Sequence, residues 1–493
     1  MFQFQTIIYN IFGFDKLNPI SLISGYFLIA LTLFLVLYSV FYRWLEVRKW
    51  ILIVFNLFFY FKLTGILSFI ILIPAIVDYF SAKIIEKSSS EVKKRVLLSL
   101  SIITSLGLLV YFKYTNFFLE IINQFSGTSY DLLKIIIPVG ISFYVFRTIS
   151  YVVDVYNEKI ESVQKFSDYL VYMTFFPLMI SGPITRAEHF IPQLNQKEGV
   201  SKENMNNGIY FIIKGLVKKA IFADYLSVYV AMIFAAPKGY SGIENLVGIV
   251  CFTIQLYLDF SGYTDIATGI SKILGFEIGV NFNEPFKAKS ISEFWRRWHI
   301  SLSDWLKDYI FSPLNFYFRK MKVFGAILAM FITFFICGIW HGTTWVFILF
   351  GIIHGTVLAW ELATRNFFSF KQKSFLSIIM QPISWILTFT FLVVTMMAMR
   401  VESVETAWGI ISKLWLDTGF QNAHLFIEIQ LAFTVMFILA LILVFLPSLL
   451  KNKLQSLFVQ SHISVKICIL MLVTQIMIEL QNQNIVPFIY AQY

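Results

Sequence analysis

Residues 325–355 read GAILAMFITFFICGIWHGTTWVFILFGIIHG. The run is almost entirely apolar, and a helix that crosses a bilayer needs ~20 such residues. One histidine, His341, stands in its middle between a tryptophan and a glycine. A buried polar side chain without a partner costs several kcal/mol. The stretch therefore predicts a membrane protein in which His341 has either a hydrogen-bond partner or a function.

The rest of the chain shares this apolar character. Of its 493 residues, 58% are hydrophobic and 14% are charged, whereas soluble domains carry roughly a quarter charged residues. The net charge of +10 fits the basic bias of cytoplasmic loops, and its residues lie between apolar spans, so we expect no nucleic-acid partner. We expect an all-α polytopic membrane protein that forms one integral-membrane domain over residues 1–493.

The apolar runs predict about eleven to thirteen crossings. The predicted spans are 21–41, 50–62, 64–81, 96–113, 133–153, 167–184, 209–235, 244–270, 324–343, 345–363, 377–398, 429–449 and 465–481.

The basic loops predict an orientation. Lysine and arginine cluster at 42–50 and at 83–95, with two predicted spans between these loops. Both loops then face one side, and basic loops stay cytoplasmic. We therefore expect an extracytoplasmic N-terminus.

The longest polar interruption, 281–322, contains an aromatic pattern at helical spacing. Its members are Trp295, Trp298, Leu302, Trp305 and Tyr309. Steps of three and four place them on one stripe of one helix, which we expect to lie in the membrane interface. His299 falls on the border of this stripe. Two interpretations remain open: an ordinary interfacial histidine, or a group that orients substrate from the cytoplasmic side.

Charged residues also occur at predicted membrane depth. Asp259 and Asp265 lie in the run QLYLDFSGYTDIATGI, where acidic side chains normally face a bundle interior or a wet cavity. They indicate a cavity wall, a helix brace or a tightly packed polar junction. Arg147 and Arg186 follow Pro- and Gly-containing stretches and could hold an anionic group or snorkel to the interface.

The histidines and cysteines predict no metal site. On one continuous helix, His341 and His354 would lie ~20 Å apart on different faces, and the three cysteines are far apart in the sequence. His341 and Trp345 would share a face, with Gly338 and Gly342 making room for a ligand or a close helix. His341 is then either a general base, since neutral imidazole accepts protons near pH 7, or a braced core histidine.

Five sequence blocks resemble the membrane-bound O-acyltransferase family. In chain order they are PVGISFYVFRTISYVVDVY, FFPLMISGPITR, DFSGYTDIATGI, EFWRRWHISLSDWLKDYIFSPL and WHG. The blocks fall within about residues 105–360 and resemble most closely the bacterial branch of alginate O-acetylation and peptidoglycan O-acetyltransferase proteins. The D-alanyl transfer protein of teichoic acid is a nearer cousin than the eukaryotic lipid enzymes.

The resemblance implies a fold and a site. The family is a bundle of membrane helices around a tunnel, with short interfacial helices. Its catalytic histidine corresponds to His341. Its second position, commonly Asn, Asp or His, corresponds to His299. Backbone N–H groups near Gly338 or Gly342 are candidate donors to the oxyanion of the reaction.

The resemblance also implies substrates and partners. The chain would move an acetyl group from a cytoplasmic donor, acetyl-CoA or another acyl thioester, toward an extracytoplasmic polysaccharide such as alginate or peptidoglycan. No bound cofactor is expected. Expected partners are membrane lipid, an extracytoplasmic SGNH-type acetyltransferase with a Ser-His-Asp site, and a possible cytoplasmic acyl carrier.

Three other functions stay open at this point. The chain could transfer D-alanine to teichoic acid, transport a polysaccharide or lipid without acyltransferase activity, or serve as a membrane scaffold for a polysaccharide machine. A transporter would predict inverted repeats, which the sequence does not display. A transporter also gives no reason for the WHG block, and a scaffold would tolerate changes at His341.

Overall fold

The structure is a computed structural model that describes residues 13–14, 22, 24–180, 182–196, 199–367, 375–419, 428 and 430–480. Every regular element in this part of the chain is helical, which confirms the predicted all-α class. The described chain forms two compact units, Met1–Ile212 with Tyr263–Gly279 and Ile213–Gly262 with Val280–Tyr493.

The helices up to the first unit boundary are α1 (Gly25–Val40), α2 (Leu45–Thr64), α3 (Leu72–Lys87), α4 (Glu91–Ser126), α5 (Ile141–Tyr156), α6 (Phe166–Thr174), α7 (Pro177–Ile180), α8 (Ala187–Phe190) and α9 (Lys202–Leu216). Those that follow are α10 (Asp224–Ala235), α11 (Gly242–Ile273), α12 (Ile291–Trp295), α13 (Ile300–Leu306), α14 (Ser312–Tyr317), α15 (Val323–His341), α16 (Trp345–Phe367), α17 (Phe375–Met396), α18 (Val404–Leu416), α19 (Leu431–Phe445), α20 (Ser448–Gln460) and α21 (Ile463–Leu480).

Local sequence explains where these helices begin and end. Ser90 precedes α4, and its side chain accepts a hydrogen bond from the N–H of Lys93, as an N-cap does. The same helix ends at Gly127, whose φ of +66° is a left-handed conformation that glycine adopts without strain. α4 therefore runs for 36 residues between a cap and a stop that both stand in the sequence.

Fewer helices qualify as single crossings than the about eleven to thirteen expected. Among the described residues, seven are long and apolar enough to cross a membrane, or eight if the bent pair α19–α20 forms one span. The difference arises where predicted spans contain breaks. Residues 167–184 hold the two short helices α6 and α7, and 209–235 contains the π-helical segment Val217–Ala223.

The predicted spans 50–62 and 64–81 are also one feature. α2, the 3₁₀ segment Gly65–Ile71 and α3 form a single 43-residue apolar stretch, Leu45–Lys87. The chain continues through Gly65, at φ +61°, instead of turning back there. The expected orientation assumed two separate crossings at this point. With one crossing here, the basic loops at 42–50 and 83–95 would face opposite sides, so they no longer assign a side to the N-terminus.

Broken backbone in the first unit is satisfied by side chains. Between α6 and α7, Asn56 donates to the Thr174 hydroxyl and accepts from the N–H of Phe176. Further on, the Tyr172 hydroxyl donates to the carbonyl of Thr185. Irregular backbone at membrane depth is tolerated only when protein or water supplies such partners.

Candidate active site

His299 stands at a break between two short helices. α12 ends at Trp295 and α13 begins at Ile300. Between them His299 has φ +44° and ψ 53°, a left-handed conformation that is uncommon for residues with a side chain. This conformation ends the helix and changes the direction of the chain. The imidazole of His299 is completely buried.

The single interfacial helix expected over 295–309 is therefore wrong in two respects. The chain is broken at His299, and the stripe faces protein instead of the headgroup region. Trp295, Trp298, Leu302 and Trp305 are all at most 5% exposed. Spacing correctly grouped these side chains, but it could not show which surroundings they face.

The N-terminus of α12 is held by a helix distant in sequence. The carboxylate of Glu361, on α16, accepts hydrogen bonds from the N–H groups of Ile291 and Ser292 at 2.7 and 2.9 Å. A negative charge at a helix N-terminus satisfies donors that have no partner within the helix. α16 thereby positions the segment that leads into His299.

Asn281 sets the tautomer of His299. Its side-chain oxygen accepts from the backbone N–H and the hydroxyl of Ser301, at 3.3 and 2.9 Å. A backbone N–H can only donate, so this atom is the carboxamide oxygen. It also lies 3.2 Å from Nδ1 of His299. We therefore assign the proton to Nδ1, which leaves the lone pair on Nε2.

The surroundings of His299 keep it neutral. Its ring packs edge-to-face on Phe260, with centroids 4.9 Å apart. Burial lowers the pKa of His299 to about 3, because the charged form loses its hydration. At physiological pH the residue is consequently a neutral imidazole, whose Nε2 can accept a hydrogen bond.

His341 is the last residue of α15 and is 4% exposed. Its ring lies 4.7 Å from Trp340 and 5.6 Å from Phe350, centroid to centroid. Phe347 stacks nearly parallel to it at 6.5 Å. The imidazole is thus enclosed by aromatic rings at the end of a helix.

The chain turns directly after His341, which corrects the expectation of one continuous helix. Residues 342–344 connect α15 to α16, and Trp345 opens the new helix with 54% of its surface exposed. His341 and Trp345 therefore do not share a helix face. His341 and His354 are brought toward each other, since both pack on Phe350.

The two glycines near His341 make room for a close helix. A Cβ built on Gly338 would lie 2.5 Å from the Cα of Gly351 in α16. A Cβ on Gly342 would collide with the ring of Phe347. Of the two roles expected for these glycines, the structure assigns the packing role, and the result is a tight hairpin of α15 and α16.

His354 is a buried histidine whose structural role the sequence spacing did not predict. Its Nδ1 accepts from the indole N–H of Trp295 at 3.2 Å, and its Nε2 donates to the Thr395 hydroxyl at 3.0 Å. The Thr395 hydroxyl in turn donates to the carbonyl of Phe391. His354 is completely buried with both nitrogens engaged, so it connects α12, α16 and α17.

One aromatic cluster of the second unit contains both predicted site histidines. Consecutive ring centroids lie 4.9–6.4 Å apart along the series His299, Phe260, Trp298, Phe294, Trp295, Phe350 and His341. Two histidines about 40 positions apart in sequence thus belong to one network of buried aromatic rings. Such an environment strengthens any electrostatic interaction with a reacting group.

The acidic residue Asp259 belongs to a packed polar junction. Its carboxylate lies 2.6 Å from Nζ of Lys219, which is also 2.6 Å from Asp224. Asp259 and Lys219 are each 1% exposed. Gly262 allows this approach, because a Cβ there would lie 3.0 Å from the backbone of Gly215 and Lys219. Asp259 therefore braces α11 against the π-helical segment.

The described residues include no group of three or more His, Cys, Asp or Glu side chains placed to hold a metal ion. His424 lies outside the described residues.

Comparison with known proteins places this site in a family. The family model "MBOAT, membrane-bound O-acyltransferase family" matches residues 157–401, which include both histidines. A peptidoglycan O-acetyltransferase of Helicobacter pylori is 31% identical over 405 residues, 76% of this chain and 75% of that protein. The chain belongs to the membrane-bound O-acyltransferase family. The predicted family is thereby confirmed.

Two other family members are similar over shorter stretches. A probable alginate O-acetylase of Azotobacter vinelandii is 35% identical over 315 residues, 63% of this chain and 61% of that protein. A teichoic acid D-alanyltransferase of Bacillus subtilis is 31% identical over 244 residues, 48% of this chain and 60% of that protein. The matched segments span about three fifths of these two family members.

Proposed function

We propose that the chain is a membrane O-acyltransferase that moves an acetyl group from a cytoplasmic donor to the O-acetylation of an extracytoplasmic polysaccharide such as alginate or peptidoglycan. The observation that carries this proposal is the shared aromatic cluster of His341 and His299, with Nε2 of His299 as a hydrogen-bond acceptor. Family membership and the names of the relatives support it.

The proposed chemistry is acyl transfer from a thioester, with acetyl-CoA as the favoured donor. His341 accepts the proton of an acceptor hydroxyl while the hydroxyl oxygen bonds to the acyl carbon. The tetrahedral intermediate then expels the thiolate, which takes the proton from the imidazolium. The products are the acyl ester of the acceptor and a free thiol. Every atom and proton is thereby accounted for, and no further reactant is needed.

We assign His299 a supporting role in the same reaction. Its neutral imidazole can receive a hydrogen bond from the acceptor hydroxyl and orient it, because Asn281 holds the Nδ1 proton away from that side. Orientation of this kind supplies several kcal/mol of rate acceleration in enzymes.

Replacement of His341 tests the enzyme proposal. We expect His341→Ala to abolish acetylation of the cell-envelope polymer while membrane insertion and expression stay normal. His189→Ala is a matched control, because the His189 side chain is 71% exposed. Acetate released from the polymer by mild base is the measurement. An acetyl content equal to that of the unmodified strain in His341→Ala would overturn the proposal.

Transfer of D-alanine to teichoic acid is the second candidate. It is favoured by the similarity to the Bacillus subtilis D-alanyltransferase. The same mild-base release separates the two, because the liberated ester group is either acetate or D-alanine. Release of D-alanine that depends on His341 would replace the acetyl proposal and keep the acyl-transfer chemistry.

The proposed partners follow from the direction of transfer. An extracytoplasmic SGNH-type acetyltransferase would pass the acetyl group to the polymer, and a cytoplasmic carrier could present the thioester. We also propose the bacterial cytoplasmic membrane as the location, with the basic connection between α3 and α4 on the cytoplasmic side. Cross-linking of the intact protein in cells, followed by identification of the linked chains, tests both partners.

A further inference from the structure

Arg147 is a buried cation that the proposed reaction does not use. It lies on α5 in the first unit and is 1% exposed. The sequence left two roles open, an anion-binding group or an interfacial anchor. A snorkelling arginine keeps its guanidinium in water, so its burial excludes the anchor.

Its hydrogen bonds leave one edge of the guanidinium poorly satisfied. Nη1 donates to the carbonyl of Tyr172 at 2.9 Å. The opposite edge, formed by Nε and Nη2, meets only the thioether of Met179, 3.5 Å from Nη2. Nε has no hydrogen-bond partner among the described residues. This edge presents two parallel N–H groups, the fork that binds a carboxylate through both oxygens.

The charge of Arg147 also lacks a counter-charge. It forms no ion pair with any residue that the structure describes, and its electrostatic neighbours are Tyr60, Tyr169 and Tyr172. A buried charge of this kind is strongly destabilising unless an opposite charge accompanies it. An anion from outside the described chain would supply the missing counter-charge.

Two buried phenols extend this polar cluster. The Tyr60 hydroxyl is close enough to interact with Arg147 and with the Tyr144 hydroxyl. Neither hydroxyl has another hydrogen-bond partner in the described part of the chain, and both residues are 0% exposed. When one of these hydroxyls donates to the other, the second can donate to an anion together with Nε and Nη2, which gives three donors on two helices.

The geometry points to a binding site for one small carboxylate, of the size of acetate, held by Arg147, Tyr60 and Tyr144. All three residues are at most 1% exposed, so the site is closed and admits no headgroup attached to lipid chains. Met179 completes it, because its flexible thioether can yield to a ligand oxygen. Its backbone is packed against Gly140, where no Cβ would fit.

The experiment measures thermal unfolding of the purified full-length protein in detergent with added sodium salts at equal ionic strength. Acetate is the probe, gluconate is a carboxylate too large for the site, and chloride reports a halide effect. A ligand that binds only the folded state raises the unfolding midpoint as its concentration passes Kd. We expect a saturable rise with acetate that neither gluconate nor chloride reproduces.

Variants connect this rise to the named residues. Arg147→Gln should abolish the acetate response, and Tyr60→Phe and Tyr144→Phe should shift it to higher acetate concentration. The two phenylalanine variants retain the ring volume. They therefore still test the binding site if Arg147→Gln fails to fold. Tyr38→Phe is the control, since its buried hydroxyl bonds the carbonyl of Leu274 and its loss should leave the acetate response unchanged.

Equal shifts with all three salts, or an acetate response that survives in Tyr60→Phe and Tyr144→Phe unchanged, would overturn the site. The readout is binding, so it is independent of acyltransferase activity. His341→Ala should retain the full acetate response, which separates failure of this inference from failure of the proposed function.

Discussion

At the scale of single residues, the imidazole of His299 is buried, and its hydrogen bond to Asn281 selects its tautomer. The folded protein holds its pKa at about 3, whereas the value for an exposed histidine is 6.5. Between these values the unfolded chain binds the proton and the folded chain does not. The contribution of His299 to stability is therefore complete above pH 6.5 and is lost as pH falls toward 3, by ~1.4 kcal/mol per pH unit.

His299→Gln should make stability less sensitive to acid. We expect the unfolding midpoint of the unmodified protein to fall more steeply between pH 6.5 and 4.5 than that of the variant, because glutamine does not titrate. Thermal unfolding across this pH range is the measurement. His462→Gln, at an exposed position, should follow the unmodified protein. Parallel curves for His299→Gln and the unmodified protein would contradict the prediction.

Asn281 gives a second prediction at this scale. Asn281→Leu removes the acceptor for His299 Nδ1–H and Ser301 N–H, and a lost acceptor of this kind costs about 1–3 kcal/mol. We expect at least about a tenfold loss of transfer activity, in the range seen when groups that orient an active histidine are removed.

Asn281→Asp separates orientation from charge. It keeps the acceptor but places a negative charge beside the imidazole, which raises the pKa of His299. The acidic limb of the activity profile should then move toward neutral pH, while the activity at high pH is retained. A pH–activity profile that matches the unmodified protein would contradict the assigned role of His299.

At the scale of elements, the α15–α16 hairpin carries His341 to the aromatic cluster. Gly338→Ala would place a Cβ 2.5 Å from the Cα of Gly351, so the two helices must separate. Overpacking of this kind costs about 1–3 kcal/mol, and His341 lies three residues away. We expect transfer activity to fall much more than the amount of inserted protein.

Gly409→Ala is the matched control for that variant. It also replaces a helical glycine in the second unit, but a Cβ there meets nothing within 4 Å. Alanine favours helix by up to about 1 kcal/mol over glycine, so stability should hold or rise and activity should stay the same. Comparable activity loss in both variants would show that the close approach at Gly338 is not what places His341.

Some of these elements could be predicted from sequence and others could not. The turn after His341 carries its own signal, a glycine followed by two threonines, but the continuous apolar run around it favoured one helix. The break at His299 has no such signal, since neither glycine nor proline occurs there. It depends on Asn281 and Phe260, which are distant in sequence. The same holds for the Trp295–His354–Thr395 chain, whose hydrogen bonds join three helices.

At the scale of the whole molecule, the apolar content and the long apolar runs predicted the all-α membrane class correctly. They overestimated the number of single crossings, because apolar composition does not reveal a 3₁₀ or π-helical segment that joins or breaks a helix. His299 and His341 belong to one aromatic cluster, and their catalytic roles stay predictions. Their shared surroundings could not be predicted, because they arise from packing between α11, α12, α15 and α16.

Orientation gives a prediction at this scale. A reporter inserted at residues 88–90, in the short connection between α3 and α4, should give a cytoplasmic signal because Lys87, Lys93 and Lys94 surround it. An insertion at 127–131, past the end of α4, should give the opposite signal. Enzymatic reporters that act on only one side of the membrane provide the measurement, and an external signal at 88–90 would reverse the proposed topology.

The left-handed backbone at His299 also bears on which residues can occupy that position through evolution. The resemblance implies that the corresponding position is commonly Asn, Asp or His in the family. These are the side-chain-bearing residues most enriched in left-handed conformations. The backbone conformation would thus limit which residues position 299 tolerates, and the catalytic role would then select among those residues. The test is a library with every residue at position 299, selected first for membrane insertion and then for activity. Each selection should reduce the set of residues found, and Asn and Asp should pass the selection for insertion.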